Sequence, residues 1–239
     1  MKPRLLIERS GERAFPSEIV PGLEVIERVS HEIETLPAES VTGPFDLAIF
    51  TSRPAADRFL ARDDLLSTLP GRVLAVGPAT AERFRSGLSV EVEEGGGSVR
   101  RMLETLPRVL SGTRVLLPRG EDADPELARE LADRGADVVP LVLYRKVALP
   151  YDPELDRTIA ASSLVAFCPT SPSAARWLLD RADQAASARL ARTIAIALGE
   201  ATRKALRARR VVRVEVAEPP TFETVARIAA ELGGRGPLG

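Results

Sequence analysis

One local pattern occurs twice and constrains this chain more than any other feature. Ala75-Val76-Gly77-Pro78-Ala79-Thr80 returns as Ala197-Leu198-Gly199-Glu200-Ala201-Thr202. In each copy an apolar run enters a Gly, and the Thr three residues on opens an amphipathic stretch. That predicts a buried strand, a tight turn and a helix N-terminus. Such a turn presents unpaired backbone N–H groups at the positive end of a helix dipole, which suits an anion.

The order of elements around each copy repeats as well. Residues 45–50 predict a strand, Ser52 a helix cap, 73–76 the next strand, and Gly95-Gly96-Gly97-Ser98 leads into a helix over 99–106. Later, 164–167 predict a strand, Thr170-Ser171-Pro172-Ser173 a turn, 193–198 a strand, and Glu218-Pro219-Pro220-Thr221 leads into a helix over 222–232. Further strands are predicted over 4–7, 23–26, 113–117, 137–143 and 211–216, with helices over 79–86 (closed by Gly87), 125–134 and 153–160. Between the first two strands Phe15-Pro16 and Val20-Pro21-Gly22 leave room for a turn or two of helix at most. The tail from Gly233 to Gly239 is expected to be disordered.

Two domain-sized copies of alternating strands and helices mean α/β architecture with parallel sheets, duplicated once. Ligands bind such sheets at the carboxyl ends of the strands. This singles out Ser52, Gly77, Pro78, Ala79, Thr80 and Ser98 in one copy, against Ser171, Gly199, Thr202 and Thr221 in the other. Ser52, Thr80, Ser171 and Thr202 are also expected to cap their helices. Two departures stand out. Cys168-Pro169 lengthens the turn before Ser171, and Glu200 takes the place of Pro78, where a carboxylate side chain would repel an anionic ligand unless it points away.

Composition narrows the chemistry. A formal net charge of −1 over 239 residues gives no bulk attraction for nucleic acid or an anionic membrane, and 4% aromatic residues leave little for stacking on bases. One Cys and one His exclude a disulfide framework and the usual Cys/His metal sites. Cys168 reads as a core residue and His31 as a solvated surface one. No window approaches the ~18 consecutive apolar residues of a membrane span. A cytoplasmic monomer without cofactor is the expectation.

In order and spacing, several stretches together resemble the uroporphyrinogen-III synthase family. They are Phe50-Thr51-Ser52 before a helix, Val76-Gly77-Pro78-Ala79-Thr80-Ala81, Leu116-Leu117-Pro118-Arg119-Gly120, Arg134-Gly135-Ala136-Asp137-Val138, Leu143-Tyr144-Arg145-Lys146-Val147 and the second Gly-x-x-Thr turn. The resemblance is good over residues 45–232 and looser before them. It implies two similar parallel-sheet α/β domains, the second inserted in the first. The outer domain would be residues 1–35 plus 147–239, the inserted domain 38–143, and the linker strands 29–37 and 144–150, with the active site in the cleft between domains. The residue pattern separately places extended, helix-free crossings at 29–35 and 144–150.

The implied reaction closes hydroxymethylbilane, a linear tetrapyrrole with eight carboxylates, to uroporphyrinogen III with loss of water and inversion of ring D. Left alone the bilane closes without inversion, so the task is to impose a geometry. The resemblance implies Tyr144 as acid or hydrogen-bond donor at the departing hydroxyl and Thr80 beside it; the residue reading alone favours a hinge role for Tyr144. The implied partners are the bilane and, transiently, hydroxymethylbilane synthase. The alternative is a tetrapyrrole- or polycarboxylate-sensing regulatory protein on the same fold, without turnover.

Overall fold

The computed structural model describes residues 2–11, 14–16, 18, 22–85 and 88–234. The chain divides into two compact units, one formed by Met1–Glu32 with Val147–Gly239 and the other by Ile33–Lys146.

The second unit contains β3 (Leu47–Phe50), α1 (Arg53–Leu60), α2 (Asp63–Leu66), β4 (Arg72–Ala75), α3 (Pro78–Arg85), β5 (Glu91–Glu94), α4 (Val99–Thr105), β6 (Arg114–Gly120) and α5 (Glu126–Asp133). The first unit contains β1 (Arg4–Ser10), α6 (Glu154–Ala161), β8 (Leu164–Pro169), α7 (Pro172–Leu179), α8 (Gln184–Arg192), β9 (Ile194–Ala197), α9 (Glu200–Arg207), β10 (Val214–Val216) and α10 (Phe222–Gly234). Two long strands, β2 (Glu24–Thr35) and β7 (Asp137–Ala148), run through the unit boundary.

Strand order is β5-β4-β3-β6-β7 in the second unit and β10-β9-β8-β1-β2 in the first. The described pairs within each unit are parallel. The two orders are the same once β8, β9, β10, β1 and β2 are matched to β3, β4, β5, β6 and β7. Each sheet therefore has one switch point, between β3 and β6 and between β8 and β1, where the chain reverses its direction of travel across the sheet.

The strands alternate their side chains between two covered faces. In the second unit Ala48 and Phe50 pack with Ala55, Ala56 and Phe59 of α1, Leu65 of α2 and Phe84 of α3. Leu47 and Ile49 pack on the opposite side with Met102 of α4 and Leu127 and Leu131 of α5. Phe50 is fully buried, its ring edge-on to Phe59 at 5.3 Å and 4.4 Å from Phe84. In the first unit Leu6, Phe167 and Ala195 face α6 to α9, while Leu5, Ile7, Ala166, Cys168 and Ile196 face α10. Where α5 lies in the second unit, the first unit has Phe15, buried and edge-on to Phe222 at 5.1 Å.

Several sequence expectations are corrected. Residues 24–35 and 137–148 form continuous strands rather than a strand followed by a separate extended crossing. α2 and α8 were not anticipated, although Asp183 caps α8 through the Ala186 N–H at 2.8 Å. α10 runs through Gly233 and Gly234, so helix replaces the start of the expected disordered tail. The rest of that tail, the predicted stop at Ser86-Gly87 and the Val20-Pro21 break lie outside the described residues. Among the described residues no helix is long and apolar enough to cross a membrane.

Candidate functional site

At the switch point of the second unit, β3 ends at Phe50 and Ser52 adopts an extended conformation (φ −148°, ψ 144°) as the cap of α1. Its Oγ accepts from the Ala55 N–H at 3.4 Å, and Pro54 in the first turn has no N–H to satisfy. The same Oγ lies 3.1 Å from the Tyr144 hydroxyl. Tyr144 reaches it from β7 because the register with β6 slips by one residue: Arg119 faces Val142, but Gly120 faces Tyr144. A bulge of this kind re-aims a side chain.

One contact fixes the Tyr144 backbone and two the ring. The Glu121 N–H donates to the Tyr144 carbonyl at 2.8 Å. The Arg58 guanidinium stands 5.8 Å from the ring centroid, itself held by the Ile33 carbonyl at 3.0 Å and Thr35 Oγ1 at 3.1 Å. Gly120 lies against the phenol head, where a Cβ would come 2.7 Å from Cζ and 3.0 Å from the hydroxyl oxygen. Only Gly fits there.

The neighbouring turns converge on the same sheet end. The Gly77 carbonyl accepts from the Thr80 and Ala81 N–H groups at 3.1 and 3.0 Å, opening α3 with Pro78 and Ala79 exposed. The Gly97 N–H donates to the Val76 carbonyl at 2.7 Å, which sets the Gly95–Gly97 loop beside Gly77. Ser98 then caps α4 through the Arg101 N–H at 3.2 Å.

The first unit repeats these turns. Ser171 (φ −155°, ψ 164°) caps α7 through the Ala174 N–H at 3.2 Å, again with Pro in the first turn. Cys168-Pro169 therefore lengthens β8 rather than the turn, and Ser171 is the counterpart of Ser52. Gly199 caps α9 by backbone alone, and Thr221 caps α10 through the Thr224 N–H at 3.3 Å. Thr80 and Thr202 do not cap, contrary to expectation. Both sit inside the first turn of their helices and are buried there.

The model of the family described as uroporphyrinogen-III synthase HemD matches residues 6–227. The chain belongs to the uroporphyrinogen-III synthase family. Its activity is accordingly that of a uroporphyrinogen-III synthase, an enzyme of tetrapyrrole biosynthesis acting on a small tetrapyrrole substrate. The fold is shared with the uroporphyrinogen-III synthetase from Helicobacter pylori (TM-score 0.62, 19% identity, 96% of this chain and 99% of that one). It is likewise shared with a mutant uroporphyrinogen III synthase from the extreme thermophile Thermus thermophilus (TM-score 0.60, 20% identity, 97% and 99%). No curated protein matches the sequence significantly.

Against the uroporphyrinogen-III synthase background, Glu200 is no obstacle at its turn. Its carboxylate pairs with Arg203 at 2.8 Å, which holds it below the usual carboxylate range and directs it along the helix. Two further residues escaped the sequence reading. Glu8, near the end of β1 between Pro169 and Arg28, is fully buried, and neither carboxyl oxygen has a hydrogen-bond partner among the described residues. Burial pushes that carboxyl up to about 8, and nearby Ser30 offsets little because its hydroxyl donates to the Arg9 carbonyl at 3.0 Å. Strand alternation from inward-facing Leu6 was the signal that could have found it. His31, expected on the surface, is buried in β2 with Nδ1 2.7 Å from Ser30 Oγ.

Proposed function

We propose that Tyr144 is the residue at the departing hydroxyl of hydroxymethylbilane, and that the two sets of turns bind its carboxylates. The observation that carries this reading is the Tyr144–Ser52 hydroxyl pair at 3.1 Å, at a sheet switch point where open α/β folds bind ligands. Ser52 Oγ already accepts from a backbone N–H, so the pair is oriented before substrate arrives. Tyr144 donates its proton to the hydroxyl, the C–O bond breaks, and water leaves an azafulvene cation on ring A. Ring D then attacks through its substituted carbon to give the spiro intermediate, which fragments and recloses with ring D inverted.

The near-neutral chain meets eight carboxylates through local donors. These are the Ala79 N–H and Thr80 hydroxyl of α3, the Gly77, Pro78 and Ser98 turns beside them, and Ser171, Gly199, Thr202 and Thr221 in the other unit. Helix N-termini contribute about 0.3–1 kcal/mol each to such contacts when exposed. The same reading has the chain acting as a cytoplasmic monomer that receives the unstable bilane by transient contact with hydroxymethylbilane synthase. Linker strands 29–37 and 144–150 would join the outer domain (1–35 plus 147–239) to the inserted one (38–143).

Tyr144→Phe tests the assignment. Loss of one hydrogen bond, about 0.5–1.5 kcal/mol, lowers turnover roughly 2- to 10-fold with the type III product retained. Unchanged turnover removes Tyr144 from the mechanism.

A further inference from the structure

The duplication supplies an internal control for one side chain of the second unit, Arg58. Helices α1 and α7 are each 8 residues long, follow the caps Ser52 and Ser171, and carry Arg58 and Trp177 at the same place, six residues past the cap. Each of these side chains donates to a strand end of its own unit. Arg58 reaches the Ile33 carbonyl at 3.0 Å and Thr35 Oγ1 at 3.1 Å, and Trp177 Nε1 reaches the Leu149 carbonyl at 2.8 Å. The two strand ends correspond. The Leu36 N–H donates to the carbonyl of bulged Leu143 at 2.9 Å, as the Leu149 N–H does to that of bulged Ser30 at 2.8 Å. A neutral indole makes this tie in the first unit, so the tie itself needs no charge.

Arg58 nevertheless carries a charge that no carboxylate offsets. Its remaining hydrogen bond goes to the Pro54 carbonyl at 3.4 Å, so every acceptor it has among the described residues is neutral. The adjacent carboxylate, Asp57, is engaged by Arg53 at 3.5 Å and by Arg83. The half-buried guanidinium stands over the Tyr144 ring, 5.8 Å from its centroid, and the phenol oxygen lies 3.1 Å from Ser52 Oγ. A cation over a neutral aromatic face is attracted only weakly. Once the phenol gives up its proton, the negative charge on oxygen spreads into the ring and the attraction grows. An interaction that strengthens on the way to the transition state is the kind that raises turnover.

We propose that Arg58 is a positioning residue of the reaction that acts through Tyr144, its charge offsetting the negative charge formed on the phenol as the proton passes to the departing hydroxyl. This rests on the Tyr144 reading above. The step balances. The O–H bond of Tyr144 breaks, its electron pair stays on the phenol oxygen, and the proton leaves with the hydroxyl as water. Arg58 gives up no proton, and one from solvent restores Tyr144 after turnover.

The test is a double-mutant cycle on the full chain, with kcat and KM for added hydroxymethylbilane read from the type III product. Arg58→Gln, which keeps an N–H donor and loses the charge, is expected to lower kcat about 2- to 5-fold with KM unchanged. In the Tyr144→Phe background there is no phenol proton to give, and Arg58→Gln is expected to cost nothing further. A purely structural contact would cost the same factor in both backgrounds. If Arg58→Gln does not fold, Arg58→Trp, which installs the neutral donor of the first unit, decides by the same comparison. Equal losses in the two backgrounds, a raised KM at unchanged kcat, or no change at all overturns the proposal. Tyr144→Phe with unchanged kcat overturns the Tyr144 reading itself, and this one with it, whatever Arg58 does.

Discussion

Raising the pH through neutrality is expected to destabilise the first unit through one carboxyl, that of Glu8. An exposed glutamate keeps its ordinary value of 4.5, whereas burial holds Glu8 protonated up to about 8. Below 4.5 the folded and unfolded chains both carry the proton. Between 4.5 and about 8 only the folded chain does, so stability falls by about 1.4 kcal/mol per pH unit. Above that window both are ionised and the slope vanishes. From about pH 5.5 to about pH 7.5 the loss is about 3 kcal/mol, and over the whole window on the order of 5 kcal/mol, an upper bound because water entering beside an ionised Glu8 reduces it. Asp180 and Glu200, held below the usual range by Arg209 and Arg203, act in the opposite sense at more acidic pH.

Trp177, the chain's single tryptophan, is packed in the core of this unit, so its fluorescence during urea unfolding reports the right transition. Glu8→Gln should come nearest to wild type below about pH 4.5, exceed it increasingly toward pH 8 and lack the Glu8 slope. Equal slopes in the two proteins would refute the reasoning, as would a wild-type midpoint that does not fall between about pH 5.5 and pH 8.

Three other outcomes are expected. Gly120→Ala places a Cβ 2.7 Å from Tyr144 Cζ, which forces the phenol off Ser52. Its turnover should fall at least as far as that of Tyr144→Phe, and Gly120→Ala should add little to the effect of Tyr144→Ala; steady-state rates of the double mutant check this. Ser52→Ala removes both the α1 cap and the Tyr144 partner, so it should cost about 1 kcal/mol of stability in addition to activity, read by urea unfolding of the second unit. Cys168, fully buried, has its thiol pushed well up by burial and by Glu8. It should resist a thiol-specific disulfide reagent until urea unfolds the chain.

The sequence carried the architecture because duplication is a long-range signal. Two Gly-x-x-Thr turns, each between an apolar run and an amphipathic stretch, set the strand–helix alternation, and the strand order confirms parallel sheets with matching switch points. α2 was missed because a helix as short as Asp63–Leu66 carries too few turns to show a period; α8, with nine residues, was missed although Asp183 stands at its cap. The caps at Ser52 and Ser171 were legible from residue type and position, those at Ser98 and Thr221 were not read, and Thr80 and Thr202 look like caps and are not. What decides there is whether the Gly or the Thr stands outside the first helical turn, a shift no propensity resolves.

His31 and Glu8 were illegible for a different reason. Charged neighbours made His31 look solvated and Glu8 stood where a turn was expected, and their burial follows from strand pairings between segments far apart in the chain.

The isomer composition of the porphyrin made from hydroxymethylbilane tests the central claim most directly. In the assay coupled to hydroxymethylbilane synthase, followed by oxidation and chromatography, the chain is expected to shift the product from type I to type III. A type I product, unchanged by addition of the folded protein, would contradict it.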